Sequence, residues 1–569
     1  MSILKRSVLF LFCVLLSTGF VLSFEPTLPS ENAIYNARLI PAPRTTQFGQ
    51  GVIVFNKNLK CILVLPEEII HEKNTKEFIN TTSKVLTKWF NIEIIPELQT
   101  PEQLLKHSQQ NQEINQTILQ FAQSLNDDND NFFLKKNASQ ILAVPDKSTA
   151  FDLSPEEIAS CRDDSRGTLI IAGSDQDGIR DAFKTLIQLS ETFGITENVV
   201  SSCHFIPELL VKDWPEITFR GLHLCWFPET SPAKIEQSIR IAAYYKFNYI
   251  ILEFWGTFPF ESTSVLSWSD FQTSKDEIHR LVHLGRELGV KLIPQMNLFG
   301  HATAARVSVG KHTTLDFHPE YEPLFEPDGW TWNIYNPDTR KLLTQCVLEL
   351  YEAFESPEFF HLGFDEAYSA GTGFLARRKG NYIDVLAEWL TYFHDLFFER
   401  NCRVMIWHDM LVDVNDFNGY TAGGNTKTRD LINKLPKDIL ICDWQYSAPK
   451  ENENWPTTQY FKDKGYEFIS CPWRNTSGII SLAQNVSAKE GFGLLCTTWH
   501  RFYGESMRNI LTVGSGAAWG TTYRGSSMDK ILSFNRHLRQ ASRDIPNKTY
   551  RTNGVTDLQV LPNTVGSLD

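Results

Sequence analysis

The chain has 569 residues, of which 42% are apolar and 12% aromatic, and its formal net charge is -13. That length implies more than one domain, and that composition excludes disorder as the main state. The negative charge argues against nucleic acid or an anionic membrane surface as the main partner.

Lys5 and Arg6 precede an apolar run from Val8 to Leu22, with Val21 and Ser23 as the small residues before a cleavage point. Residues 1–23 therefore read as a signal peptide, and the mature chain is expected in an extracellular, lysosomal or vacuolar lumen. In that setting Asn80, Asn115, Asn137, Asn475, Asn485 and Asn547 are acceptor sequons. Of ten cysteines, Cys13 lies in the leader, leaving nine, an odd number. Cys225, Cys402, Cys442, Cys471 and Cys496 fall in or beside expected strands, where a buried thiol is the simplest reading.

Residues 24–212 are expected to form an α+β domain. Strands are read at 51–55 and 61–65, a helix at 75–90, a strand at 168–172 and a helix at 177–193. The Gln-, Asn- and Asp-rich stretch 97–145 reads as an inserted surface excursion. From residue 213 the pattern becomes a regular alternation. Apolar strands are expected at 217–225, 248–254, 290–297, 359–364, 403–407, 439–444, 467–471 and 493–498. Helices are expected at 232–246, 275–288, 338–354, 383–400, 428–434, 457–464, 479–484 and 505–518. Eight such units within 213–545 predict a (β/α)8 TIM barrel of class α/β, with 546–569 as a tail. An open doubly wound sheet fits less well, because no Gly-rich phosphate loop follows the first strand.

Catalytic side chains of such barrels sit at the carboxyl ends of the strands. Those positions hold Glu229, Glu253, Trp255, Asn297, His301, Asp365, Glu366, His408, Asp409, Asp443, Trp444, Trp473, Trp499 and His500. Carboxylates supply acid–base chemistry and indoles stack on the apolar faces of sugar rings. Carbohydrate is therefore the expected partner, and no metal-ligand spacing or cofactor motif is evident. Asp365 and Glu366 are neighbours after the fourth strand, and serve one ligand only if the chain turns there.

The segment His361-Leu-Gly-Phe-Asp-Glu366 resembles the signature of family 20 glycoside hydrolases, the β-N-acetylhexosaminidases. Leu39-Ile-Pro-Ala-Pro43 and the segment Gly178–Leu189 resemble the small N-terminal domain of that family, and Arg220-Gly-Leu222 the opening of its barrel. Leu252-Glu-Phe-Trp-Gly-Thr-Phe-Pro-Phe-Glu261, Ile293-Pro-Gln-Met-Asn-Leu-Phe-Gly-His301, Trp407-His-Asp-Met-Leu411 and Thr498-Trp-His-Arg-Phe-Tyr503 resemble strand ends of its hexosaminidase D branch. The resemblance implies substrate-assisted retaining catalysis without a cofactor. Glu366 would be the acid and base, and Asp365 would hold the acetamido N–H. His301, His361, Glu253, Trp407, Asp409, Trp444 and Trp499 would contact substrate.

Departures from the family pattern accompany it. Cys225 and Pro228 stand where the main branch has Asp and a sugar-gripping Arg. Pro294-Gln-Met-Asn297 replaces Pro-Glu-Ile-Asp, Arg474 takes the place expected for a Tyr on the acetamido carbonyl, and Arg501 that of a Glu. Two alternatives stay open: a glycosidase of different sugar specificity, and a catalytically weak glycan-binding homologue. The oligomeric state is not fixed by the sequence, and a homodimer is compatible with it.

Overall fold

The computed structural model describes residues 31–545, together with 551–552 and 555–556, except for 56–57, 73, 91, 111–115, 128–130, 146–166, 194–202, 229, 268–269, 303–314, 316–317, 418–426, 448–454, 500–503 and 543. The expected signal peptide, Glu229, His500, Arg501, Asn115, Asn547 and most of the expected tail lie outside the described residues. Among the described residues no helix is long and apolar enough to cross a membrane.

Seven strands form the first sheet: β1 (Thr45–Phe55), β2 (Asn58–Val64), β3 (Glu93–Gln99), β4 (Ser139–Val144), β5 (Thr168–Gly173), β6 (Glu191–Phe193) and β7 (Cys203–Asp213). Their order is β1-β7-β4-β5-β2-β3, with β6 also paired to β7. The expected surface excursion at 97–145 is corrected here. It holds helices Pro101–Gln110 and Gln116–Leu125, and then β4, a wholly buried strand between β7 and β5. Leu104, Ile118, Phe121, Ala122 and Leu125 pack on Leu142 and Ile170, while the amides face outward. Polar composition masked an amphipathic pair whose apolar stripe is narrow.

Eight parallel strands then close into a barrel: β8 (Phe219–Trp226), β9 (Tyr249–Phe254), β10 (Lys291–Gln295), β11 (Phe359–His361), β12 (Arg403–Trp407), β13 (Leu440–Trp444), β14 (Phe468–Cys471) and β15 (Gly493–Thr497). A helix or a 3-10 turn follows each strand, and the expected helix at 428–434 is a 3-10 segment, Arg429–Asn433. A further helix, Ser527–Ala541, was not read from the sequence; it packs on the helix Pro232–Tyr244 through Phe534, Leu538 and Ala541.

Alternation along the strands decides what fills the barrel. Its amino end is plugged by aromatic rings: Phe219 stacks on Tyr249 at 4.3 Å, with Phe359 at 6.0 Å and Phe492 at 5.6 Å. One layer up lie Ile251, Ile293, Met405, Leu440, Ile469 and Leu495. Nearest the carboxyl end the interior turns polar, with His223, Glu253, Gln295 and His361, all buried. Seven cysteines among the described residues, including the five expected, are buried thiols outside any disulfide.

The sheet docks on the barrel through buried polar groups. Asp213 accepts from Lys246 Nζ at 2.7 Å and from Trp519 Nε1 at 2.5 Å, and Gln188 bridges Ile40 and the carbonyl of Tyr244. Such desolvated pairs hold the two parts in register rather than adding much net stability.

Candidate active site

Strand β11 ends at His361, and the following turn answers how two adjacent carboxylates serve one ligand. Gly363, Phe364 and Glu366 all have positive φ, at 67°, 85° and 47°. The reversal brings Oδ2 of Asp365 to 3.1 Å and Oε2 of Glu366 to 3.2 Å from the same nitrogen, Nε2 of His301. Glycine is required at 363 twice over, since a Cβ there would lie 1.8 Å from Oδ1 of Asn297. Phe364 has no such freedom; its strained backbone, worth about 1–3 kcal/mol, is held by stacking on Phe299 at 4.8 Å. Gly300 lets the β10 loop press against the turn, because a Cβ there would meet the carbonyl of Asp365 at 1.9 Å.

Glu366 is fixed by its backbone. Its N–H donates to Oδ2 of Asp409 at 2.8 Å, and its carbonyl accepts from Trp330 Nε1 at 2.8 Å and from the Tyr368 N–H at 2.9 Å. The side chain of Glu366 keeps 22% of its surface open, against 7% for Asp365 and 3% for His301. Glu366 is thus the member of the trio that a leaving group reaches from solvent. Oδ1 of Asp365 is buried without a partner in the protein, an acceptor left for a ligand.

Charge follows from this packing. Burial lowers the proton affinity of His301, but the carboxylates of Asp365 and Glu366 more than offset it and lift the imidazole to about 9. His301 is therefore a cation at neutral pH, seated between two acids. Asp409, buried and beside Asp365, is pushed up to about 8 even though the Glu366 N–H and the Trp444 indole hydrogen-bond it. Both its oxygens are occupied, the second accepting from Trp444 Nε1 at 3.2 Å. Asp409 was expected to contact substrate; the structure gives it to the Glu366 backbone and the Trp444 wall.

Other expected substrate contacts are also reassigned. His361 is fully buried, its Nδ1 accepts from the Gly363 N–H at 3.0 Å, and burial, with a contribution from His223, holds the ring neutral. It secures the start of the turn. Trp407 is likewise fully buried, packed on His361 at 4.3 Å and on Trp499 at 5.3 Å, so it backs the wall rather than facing solvent. Glu253 is 3% exposed, and its carboxylate is taken up by His223, Cys225 and Asn297 rather than by an Arg.

Trp444 and Trp499 do reach the mouth, and between them stands a residue the sequence reading missed. Tyr446 stacks on Trp444 at 5.0 Å and meets Trp473 edge-on at 5.3 Å and Trp499 at 6.3 Å. Burial, Cys471 and the charges of Asp365 and Glu366 raise its phenol, placing it in the same electrostatic field as the acids. A tyrosine thus stands two residues after β13, among Trp444, Trp473 and Trp499. Arg474 instead lies exposed over the Trp473 ring, 4.4 Å from its centre. The only signal in the sequence was an aromatic residue just past a strand end, Asp443-Trp-Gln-Tyr446.

The acceptor sequons separate by burial. Asn80 is exposed and Asn475 half-buried, the latter capping the helix Thr476–Lys489 through the Gly478 N–H at 2.9 Å. Asn485 is buried with its amide donating to Thr458 at 3.0 Å, and Asn137 is 8% exposed, so neither has room for a glycan in the folded chain.

Residues 260–477 match the family model "Glycosyl hydrolase family 20, catalytic domain", a span that includes His301, Asp365, Glu366, Asp409 and Tyr446. A chitooligosaccharidolytic β-N-acetylglucosaminidase of Bombyx mori is 24% identical over 38% of this chain and 38% of its own length. Hexosaminidase D of Bos taurus is 28% identical over 23% of this chain and 36% of its own. The chain thus spans well under half the length of these curated relatives. Among solved structures, the exo-β-N-acetylglucosaminidase of Vibrio harveyi superposes with a TM-score of 0.57 at 13% identity, covering 89% of this chain and 77% of that one. The β-N-acetylhexosaminidase of Bacteroides fragilis gives a TM-score of 0.53 at 13% identity, covering 89% and 96%. Those superpositions establish the shared fold, and residues 260–477 are similar to the catalytic domain of family 20 glycosyl hydrolases.

Proposed function

We propose that the protein is an exo-acting β-N-acetylhexosaminidase that removes terminal N-acetylglucosamine or N-acetylgalactosamine by substrate-assisted retaining catalysis. The observation that carries this reading is the unpartnered, buried Oδ1 of Asp365 beside the half-open Glu366. An acetamido N–H is the donor that acceptor lacks. Held there, the acetamido carbonyl oxygen is turned toward the anomeric carbon and attacks it, while Glu366 gives its proton to the glycosidic oxygen. The resulting oxazolinium ion carries its positive charge next to Asp365. Glu366, now a carboxylate beside the His301 imidazolium, then takes a proton from the water that opens the ring.

A two-carboxylate double displacement fits less well. It needs acid and nucleophile on opposite sides of the sugar, about 5–5.5 Å apart. Here both carboxylates rest on one imidazole nitrogen, so no sugar ring passes between them without breaking those contacts. The Arg474 replacement motivates a different sugar specificity; Tyr446, beside Trp444 and Trp499, supports the N-acetylated reading instead. Glycan binding without turnover retains the argument from the Pro228 and Arg501 replacements.

The test compares 4-nitrophenyl β-glycosides of N-acetylglucosamine, N-acetylgalactosamine and glucose. Turnover of the N-acetylated pair alone, lost in Glu366→Gln for a poor leaving group, supports the proposal. Equal turnover of the glucoside, or binding with no turnover of any, sinks it. Entry into the secretory route by way of residues 1–23 belongs to the same proposal; sequencing the amino terminus of protein recovered from medium or organelle lumen tests it.

A further inference from the structure

The upper interior of the barrel holds a second cluster that the proposed chemistry leaves unused. His223 and Cys225 are two residues apart on β8, so their side chains face the same way. Cys225 is the register partner of Glu253 on β9. Strand geometry therefore delivers an imidazole, a thiol and a carboxylate to one point. Nε2 of His223 is 3.1 Å and Sγ of Cys225 is 3.3 Å from Oε2 of Glu253, and all three atoms lie within 4.8 Å of one another.

We propose that His223, Cys225 and Glu253 bind one soft divalent cation of the zinc type. Tetrahedral zinc at about 2.0–2.3 Å from N, O and S ligands requires ligand–ligand edges of roughly 3.3–3.7 Å. Two of the edges here need to change by only a few tenths of an ångström. A thiolate–imidazole–carboxylate set selects zinc, cadmium or cobalt over magnesium or calcium, which take oxygen donors. The carboxylate already has outer support: Oε1 of Glu253 accepts from Nδ2 of Asn297 at 2.9 Å, and Oδ1 of Asn297 accepts from Nε2 of Gln295 at 3.1 Å. Glu253 is almost wholly buried, and its hydrogen-bond partners are His223, Cys225 and Asn297, with no Lys or Arg bound to its carboxylate directly. A cavity of about 50 Å³ lined by Glu253, Trp255, Asn297 and His301 adjoins the cluster, enough for a water as fourth ligand. On binding, the Sγ–H bond of Cys225 breaks, the proton passes to solvent and a metal–sulfur bond forms.

The site is coupled to turnover by contact. Asn297, which holds Glu253, also lies against Gly363, where the turn carrying Asp365 and Glu366 begins. The adjoining cavity is shared with His301. Occupancy is therefore expected to inhibit glycoside cleavage, reversibly on chelation.

The experiment titrates the chelator-treated full chain with cadmium and with cobalt, reading the thiolate-to-metal absorption band. The proposal expects a band that saturates at one equivalent, is absent in Cys225→Ser, is retained in Cys471→Ser, and needs about tenfold more metal in Glu253→Gln. No band in the wild-type chain, or an equal band in Cys225→Ser, overturns it. Should Cys225→Ser fail to fold, metal-edge spectroscopy of the zinc-loaded wild type decides. One sulfur with nitrogen and oxygen neighbours supports the site. A shell of nitrogen and oxygen alone assigns the ion to His301, Asp365 and Glu366 instead and overturns it.

Discussion

Replacing His301 by Gln removes a buried cation from between Asp365 and Glu366 while leaving an amide able to hydrogen-bond. The rise of the imidazole from its ordinary 6.5 to about 9 corresponds to about 3 kcal/mol of net attraction at 1.36 kcal/mol per tenfold. Because the folded value is raised, that stabilisation is fully present below 6.5 and is lost as pH climbs through 9. The wild-type chain should therefore lose about 3 kcal/mol from this source across that interval, and His301→Gln should show none of that dependence. Removing the imidazole also takes away the nitrogen on which both carboxylates rest, so kcat/KM on an N-acetylated 4-nitrophenyl glycoside should fall in His301→Gln. Denaturant melts at pH 6 and pH 9, and turnover of that glycoside, read the two effects separately. An unchanged pH dependence of stability in His301→Gln would refute the charge assignment of this site.

Four further expectations come from the same geometry. Asp409→Ala leaves the Glu366 N–H and the Trp444 indole N–H without acceptors, about 1–3 kcal/mol each; a lower Tm should accompany a fall in kcat that is larger for poorer leaving groups. Asp409 itself, raised to about 8, disfavours the fold increasingly as pH rises from its ordinary carboxylate range through that value, so Asp409→Asn should flatten part of the alkaline loss seen in melts. Gly363→Ala forces a Cβ onto Asn297 at a φ of 67° and should lower stability by 2 kcal/mol or more, an order-of-magnitude figure for strain at such positions, with activity falling in the residual folded protein. Tyr446→Phe should raise KM for N-acetylated substrates more than it alters the Tm; an unchanged KM would remove the phenol from the acetamido pocket.

The barrel was legible because its strands are short apolar runs, such as Tyr249-Ile-Ile-Leu252, set between amphipathic helices of regular length. Local pattern carries that information directly. The stretch 97–145 misled because Gln and Asn on outward helix faces swamp the five apolar residues turned inward, and β4 owes its place to partners far off in sequence. The carboxylate pair was found as a motif, but its geometry was not, since positive φ at Phe364 is imposed by Phe299 and the β10 loop. Strand-end position does not by itself tell exposure: Trp499 is half-buried, whereas Trp407 and His361 are fully buried beneath it. Tyr446 escaped notice because it follows its strand by two residues. The cluster of His223, Cys225 and Glu253 escaped because its members meet only through the register of β8 on β9.

The measurement that bears most directly on the central claim is turnover across a series of 4-nitrophenyl β-glycosides whose 2-acetamido group carries none, one, two or three fluorines. Each fluorine weakens the acetamido oxygen as a nucleophile while changing its size little. If that oxygen attacks the anomeric carbon under the guidance of Asp365, log kcat/KM should fall steeply and linearly with fluorination, and the slope should persist in Glu366→Gln. A flat series would contradict the account, because the acetamido group would then be a bystander and the nucleophile would have to come from the protein or from water.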